Sequence, residues 1–371
     1  MPWAGGPLAF LQTTGDFSRV IYICNARPPS HLNNLCAYHP NCPLTQVLTM
    51  YTHSSALTTL FSLLNTLSSL IARLTNEQAA ARKKGLELYN LGEYRDSEAY
   101  LTIAATAGDR KSQYALAEVI RRRENNLKEE DQTHADRDWY ALAAAQGDVY
   151  ALLRLADDAS LKQAKTLAQG RADSGDGEAM LQLYEITKDI AWLKKSAEAG
   201  FLEGQYILAL VYDKDHTLIP DAIKRRSTID RWLKRAAEAG FSRAMHWYSN
   251  RPPISHDLPN RREWLIKRAQ LNDVNAVLEY GYRLGGVYED ENGIDTEYGF
   301  EKNLINSYGL IWLVLDTSRE SPRYNTAFSN LSIIAQDMSK EDIEAGKAFA
   351  QEWKSTHPPL SEFRLTYSDL R

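Results

Sequence analysis

Cysteine is confined to Cys24, Cys36 and Cys42, and none follows in a chain of 371 residues. No disulfide framework can hold the rest, which must be stable through packing alone and suits a reducing or an oxidising compartment equally. Cys36, His39 and Cys42, with Cys24 or His31 nearby, have zinc-ligand chemistry, but their spacing fits no finger pattern and no metal is assigned. Charge is scarce at the start: residues 1–72 carry only Asp16, Arg19 and Arg27, no lysine, and six of the 13 prolines. Excess positive charge is missing overall, with 43 Lys plus Arg against 48 Asp plus Glu and a net charge of −5, which argues against a general nucleic-acid binder. Long apolar runs are missing too, because the stretch from Ala56 to Ala72 is interrupted by Asn65 and falls short of the roughly 20 residues a membrane helix needs. The metalloprotease, phosphate-loop, dinucleotide and nucleophile-elbow motifs are all absent. The eight histidines are scattered, so neither catalysis nor a cofactor is expected.

What the chain does contain is a repeat. Gly108, Gly147, Gly175, Gly200, Gly240 and Asn272 share their neighbours. Three positions earlier stand Ala105, Ala144, Ala172, Ala197, Ala237 and Ala269, and eight earlier stand Tyr100, Trp139, Leu167, Trp192, Trp232 and Trp264. Four positions later come Ser112, Ala151, Ala179, Gly204, Ala244 and Ala276, and eight later Leu116, Leu155, Leu183, Leu208, Tyr248 and Tyr280. The glycine column predicts left-handed residues that end one helix, with asparagine as the tolerated substitute. Asp109, Asp148, Asp176 and Asp273, directly after it, are placed to cap the next helix. The alanine and small-residue columns predict close helix crossings, with the aromatic and leucine columns supplying most of the buried area around them.

The pattern Trp-x-x-x-x-Ala-x-x-Gly, followed by a small residue, Leu or Tyr, and another small residue (Ala276, Tyr280, Gly281), resembles the Sel-one-like repeat, a relative of the tetratricopeptide repeat. The resemblance covers roughly residues 82 to 285. It implies an all-α fold: a right-handed α-solenoid of stacked antiparallel helix pairs. Some relatives staple each helix pair with a disulfide, and this chain departs from that pattern. The turns at Gly175 and Gly200 follow their predecessors by only 28 and 25 residues, so the solenoid is expected to be irregular in the middle, with almost no loops inside those units.

Four segments are expected: a poorly ordered stretch over 1–50, an amphipathic helix over 51–78, repeats over 79–285, and an acidic loop with a helical C-terminal cap over 286–371. The helix carries a stripe of Leu57, Leu60, Leu64, Leu67, Ile71 and Leu74, which suits a packing helix, a signal or anchor segment with translation from Met50, or a partner-binding helix. Arg121-Arg122-Arg123 with Glu129-Glu130-Asp131 reads as a solvated helix end and loop, and Arg261-Arg262 as a solvated helix face. Tyr288 and Gly299 stand where a calcium loop needs its first and last carboxylates, which rejects an EF-hand around Asp290. Ser339 with Asp342 reads as a helix start.

The expected function is a non-catalytic scaffold or adaptor that binds a protein or peptide, as in an envelope, secretion or toxin-immunity system. The alternative is a hydrolase of unknown substrate on a repeat fold, which would need one irreplaceable carboxylate or histidine. A monomer is expected, with membrane association only through residues 51–74. The partner site is placed on the helices that follow each turn, at the positions five to seven residues after it: Gln113, Tyr114, Arg154, Gln205, Tyr206, His246 and Trp247. Aromatic and Arg side chains there are the usual interface anchors.

Overall fold

The computed structural model describes residues 55–363 apart from 292, 294 and 319–322. The N-terminal 50 residues, with the three cysteines and the metal question they raise, lie outside the described residues. Two compact units divide the chain, Met1–Arg73 and Leu74–Arg371. The described residues are all-α, sixteen helices packed as sequential pairs.

Helix α1 (Ser55–Leu91) runs unbroken through position 78, where the sequence suggested a boundary. Leu64, Leu67 and Leu74 of its stripe are exposed. None of the described helices is long and apolar enough to cross a membrane. The second unit continues with α2 (Tyr94–Thr106), α3 (Arg110–Glu124), α4 (Ala135–Ala145), α5 (Val149–Leu155), α6 (Asp158–Asp173), α7 (Gly177–Thr187) and α8 (Ile190–Glu198). Then come α9 (Leu202–Lys214), α10 (Ala222–Glu238), α11 (Ser242–Ser249), α12 (Leu258–Gln270) and α13 (Val274–Leu284). The last three helices are α14 (Leu304–Thr317), α15 (Arg323–Ile334) and α16 (Lys340–Thr356).

Each column of the repeat has a structural counterpart. All five turn glycines have φ between +80° and +92°, and Asn272 sits at +55°. At each, the chain closes the preceding helix with a pair of backbone bonds such as Gly240 N–H to the Ala237 carbonyl and Phe241 N–H to that of Ala236 (both 3.0 Å). This is the Schellman arrangement, which satisfies carbonyls the helix end would otherwise leave orphaned. Asp109, Asp148, Asp176 and Asp273 each accept from backbone N–H groups of the helix they precede. The alanine column is buried throughout. Gly204 is the tightest crossing, since a Cβ there would lie 2.2 Å from Ser196 Oγ. The aromatic column differs from expectation, because Tyr100 is 41% exposed and only Trp232 and Trp264 are buried. Its tryptophans sit at the helix edge, where Lys195, Arg235 and Lys267 cover Trp192, Trp232 and Trp264. The cation stands three residues after the ring, on the same helix face.

The space around the turn glycine explains what can replace it. No atom lies within 4 Å of a Cβ at Gly240, so only the backbone angle is constrained there. Gly240→Asn is therefore expected to unfold at nearly the native urea midpoint. Gly240→Val should cost roughly 1–2 kcal/mol, the penalty of a β-branched residue forced into the left-handed region. Equal losses in a urea titration would contradict the assignment.

The shortened units are joined by two-residue connections, Ala156-Asp157 and Lys188-Asp189, each opening on a left-handed residue. Four clusters of buried side chains follow one another along the chain in place of a single core. The C-terminal cluster contains Leu265, Val277, Leu310 and Ile311, and it also takes in Leu91 from the far end of the repeat array. Glu93, just after that leucine, accepts from Ser318 Oγ beyond α14, and Glu362 N–H donates to the Asn90 carbonyl (2.7 Å). The end of α1 and the turn after it are thus fastened to the segments that follow α14 and α16. Ser339 and Asp342 form a reciprocal capping box at the start of α16.

Two charged stretches are built differently from the solvated surfaces the sequence suggested. Arg121 and Arg122 turn inward onto Glu118, which is 2% exposed. Arg261 and Arg262 clamp the acidic loop after α13, donating to the carbonyls of Glu297 (3.2 Å) and Gly299 (2.7 Å). That loop folds around Asp295, which accepts from the Glu297 and Tyr298 N–H groups and pairs with Arg283 at 3.1 Å.

Candidate partner-binding face

Among the helices that follow the turns, α7 packs on both α5 and α9, and burial divides the seven residues expected on these helices. Gln113 and Gln205 are buried, each donating its Nε2 to the carbonyl of the alanine column, Ala105 and Ala197, at 3.1 Å. They close the end of the preceding helix and cannot reach a partner. Tyr114 is buried with its hydroxyl on Glu118, and Tyr206 is buried but for one edge. Arg154 is spent on Glu118, Nε to Oε1 at 2.6 Å. His246 and Trp247 alone of the seven are exposed, Trp247 with 40% of its surface.

Those two residues line a cleft of about 390 Å³. Its walls are Tyr206 from α9, Arg243, His246 and Trp247 from α11, Arg268 from α12 and Asn275 from α13. Arg268 Nη1 donates to His246 Nδ1 (3.1 Å), which fixes that nitrogen as an acceptor and the ring as neutral. Partial burial of the ring, together with the Arg268 guanidinium, holds the His246 pKa below its ordinary value. Asp273 at the cleft floor accepts from Ser242, from Arg268 (3.1 Å) and from the first N–H groups of α13, so its charge is fully engaged.

A second cleft of about 440 Å³ adjoins the first and shares Asn275 with it. It is lined by Glu279, Tyr282 and Arg283 from α13, Tyr288 from the acidic loop and Arg323 from α15. Arg283 lies over the Tyr288 ring at 4.3 Å while its two Nη atoms hold Asp295 and Glu297. The sequence reading missed Arg243, Arg268, Asn275, Tyr288 and Arg323. One signal was available, because Arg243 and Asn275 occupy the same register, three residues after their turns.

Among the described residues, Glu124, His134 and Asp136 bring ligand-type atoms within 4.8 Å of one another. Glu124 is already used there as a clasp: its carboxylate accepts from Thr133 Oγ1 and from the His134 N–H (2.9 Å), pinning the left-handed His134 ahead of α4. The geometry is that of a loop fastening.

No family model matches the chain, and neither does any curated protein. Solved structures do resemble it. A protective antigen of uropathogenic Escherichia coli with an SLR fold aligns at 18% identity and a TM-score of 0.41, over 79% of this chain and 64% of its own length. A Sel1 repeat protein from Oxalobacter formigenes aligns at 18% identity and a TM-score of 0.34, over 65% of this chain and 98% of its own. At such identities and scores the likeness is one of architecture, a stack of Sel1-like helical repeats, and the repeat assignment itself rests on the turn, alanine and capping columns of this chain.

Proposed function

We propose that the protein is a non-catalytic interaction scaffold that binds a protein or peptide partner on the helices following each turn. The observation that carries this reading is the pair of adjoining clefts that meet at Asn275, walled by Tyr206, Trp247, Tyr288 and several arginines. Aromatic and arginine side chains bury much area at modest entropic cost, which makes them the usual anchors of an interface. The charged groups around them hold one another or the backbone, an arrangement suited to a fixed docking surface.

The test is the double change Trp247→Ala with Asn275→Ala, two exposed residues, one of them common to both clefts. A stoichiometric partner that co-purifies with the native protein from its host is expected to be lost. Stability should stay within roughly 0.5 kcal/mol of native, as for surface substitutions. Undiminished co-purification would remove this face from consideration and turn attention to the loops over 215–221 and 250–257.

A further inference from the structure

One segment of the chain already lies on this face. After α16, residues 358–363 turn back and run extended beside the turn between α12 and α13. Ser361 N–H donates to the Asn272 carbonyl (2.9 Å) and the Ser361 carbonyl accepts from Val274 N–H (3.0 Å), a parallel bridge between Asp273 and Ser361. Leu360 is buried in the C-terminal cluster. The Glu362 carboxylate pairs with Arg323, a wall of the second cleft, while Glu362 and Phe363 themselves wall the first. The segment therefore borders the first cleft and is linked to the second through the pair between Glu362 and Arg323.

We propose that the strip of chain between the clefts accepts an extended peptide carrying a carboxylate followed by an aromatic residue, and that the chain's own residues 360–363 occupy that strip until such a partner segment displaces them. This deepens the scaffold reading and rests on it. The internal segment shows the chemistry that the strip accepts. Backbone groups of Asn272 and Val274 take an extended strand, as when a peptide adds to an exposed edge. Arg323 takes the carboxylate through a charge-assisted bond, and the next residue borders the cleft that Tyr206, His246 and Trp247 also line. The segment is held by the Ser361 bridge, by Glu362 N–H on the Asn90 carbonyl and by buried Leu360, and against these stands one backbone cost. Phe363 has φ of +55°, a conformation that its Cβ disfavours, and only one residue of the segment forms the two-bond bridge. A partner segment free to take an unstrained backbone avoids that cost. Because the strip is open only for the fraction of time the internal segment is away, apparent affinity is reduced by that fraction.

The experiment uses the full chain and a fluorescein-labelled, amidated peptide with the sequence of residues 358–363, Pro-Pro-Leu-Ser-Glu-Phe, titrated by anisotropy. The native protein should bind it weakly, and Glu362→Ala with Phe363→Ala at least about tenfold more tightly, since the competing segment is loosened. Ser361→Pro, which removes the N–H donated to Asn272, provides the same loosening should the double variant fold poorly. In either background, Arg323→Ala, or a peptide with Gln and Ala in place of Glu and Phe, should abolish the gain. Equal affinity for native and loosened chains, or a gain indifferent to Arg323, would overturn the inference. If neither chain binds the peptide while partner co-purification still depends on Trp247 and Asn275, the peptide inference fails and the scaffold reading stands.

Discussion

Glu118→Ala is expected to be among the most damaging single changes to this fold, lowering stability by about 3–5 kcal/mol at neutral pH, the cost of breaking one member out of a buried ionic network. Its carboxylate accepts from Arg154 (2.6 Å), Arg121 (2.8 Å), Tyr140 (2.8 Å) and Tyr114 (3.2 Å), with Arg122 at 3.9 Å. It thus ties α3 to α4 and α5, and its removal takes one shared acceptor from two buried hydroxyls and two guanidiniums. Burial alone would raise the Glu118 pKa, but Arg154 and Arg121 outweigh it and hold the carboxyl below the ordinary value of 4.5. A depressed carboxylate contributes stability that is complete above the unfolded-state pKa and drains away as pH falls through the lower folded value. The gap between native and variant should therefore be full at pH 7 and shrink on acidification below about pH 4.5. Urea titrations at pH 7 and in acid read both effects. A loss under about 1 kcal/mol at pH 7 would show that the network adds no more than an exposed ion pair.

Arg283→Ala is expected to release the acidic loop and cost a similar amount, about 3–5 kcal/mol, by stranding a buried carboxylate. Asp295, with 1% of its side chain exposed, would lose the one cation that pairs with it among the described residues. Tyr288 and Tyr298 would lose the guanidinium they share, at 4.3 and 4.8 Å. Because the loop walls the second cleft through Tyr288, the variant should also open that cleft. Protease cleavage between residues 285 and 303 should rise well before global unfolding, as expected of a region that opens locally. Cleavage unchanged from native would mean that Arg261 and Arg262 suffice to hold the loop.

The stack itself was legible in the sequence because its cause is local and periodic. A left-handed turn admits glycine or asparagine, an N-cap wants aspartate, and a close crossing wants alanine, so each physical demand prints one column. The shortened middle units were legible from the spacing of Gly147, Gly175 and Gly200. What escaped was pairing across repeats. Gln113 and Gln205 looked like variable surface positions, but both stand five residues after their turns and make the same bond to an alanine-column carbonyl. Their recurrence was the signal. Arg121-Arg122 looked solvated because a charge run usually is, and its burial depends on Glu118 lying three and four residues before and on Arg154 arriving from the next repeat. The fastening of Asn90 and Glu93 to Glu362 and Ser318 joins residues more than 200 positions apart, and no periodicity announces it. Of the seven residues expected on the face, Tyr206, His246 and Trp247 line the first cleft, whereas its other walls, such as Arg243, Arg268 and Asn275, stand at positions the repeat columns did not single out.

The most direct measurement is hydrogen exchange on the protein with and without its co-purified partner. If the scaffold works through the face described, amides of α11 and α13 should gain protection on binding while those of residues 360–363 lose it. Protection confined to the second helices of the pairs, such as α6, α8 and α10, with residues 360–363 unchanged, would contradict the account.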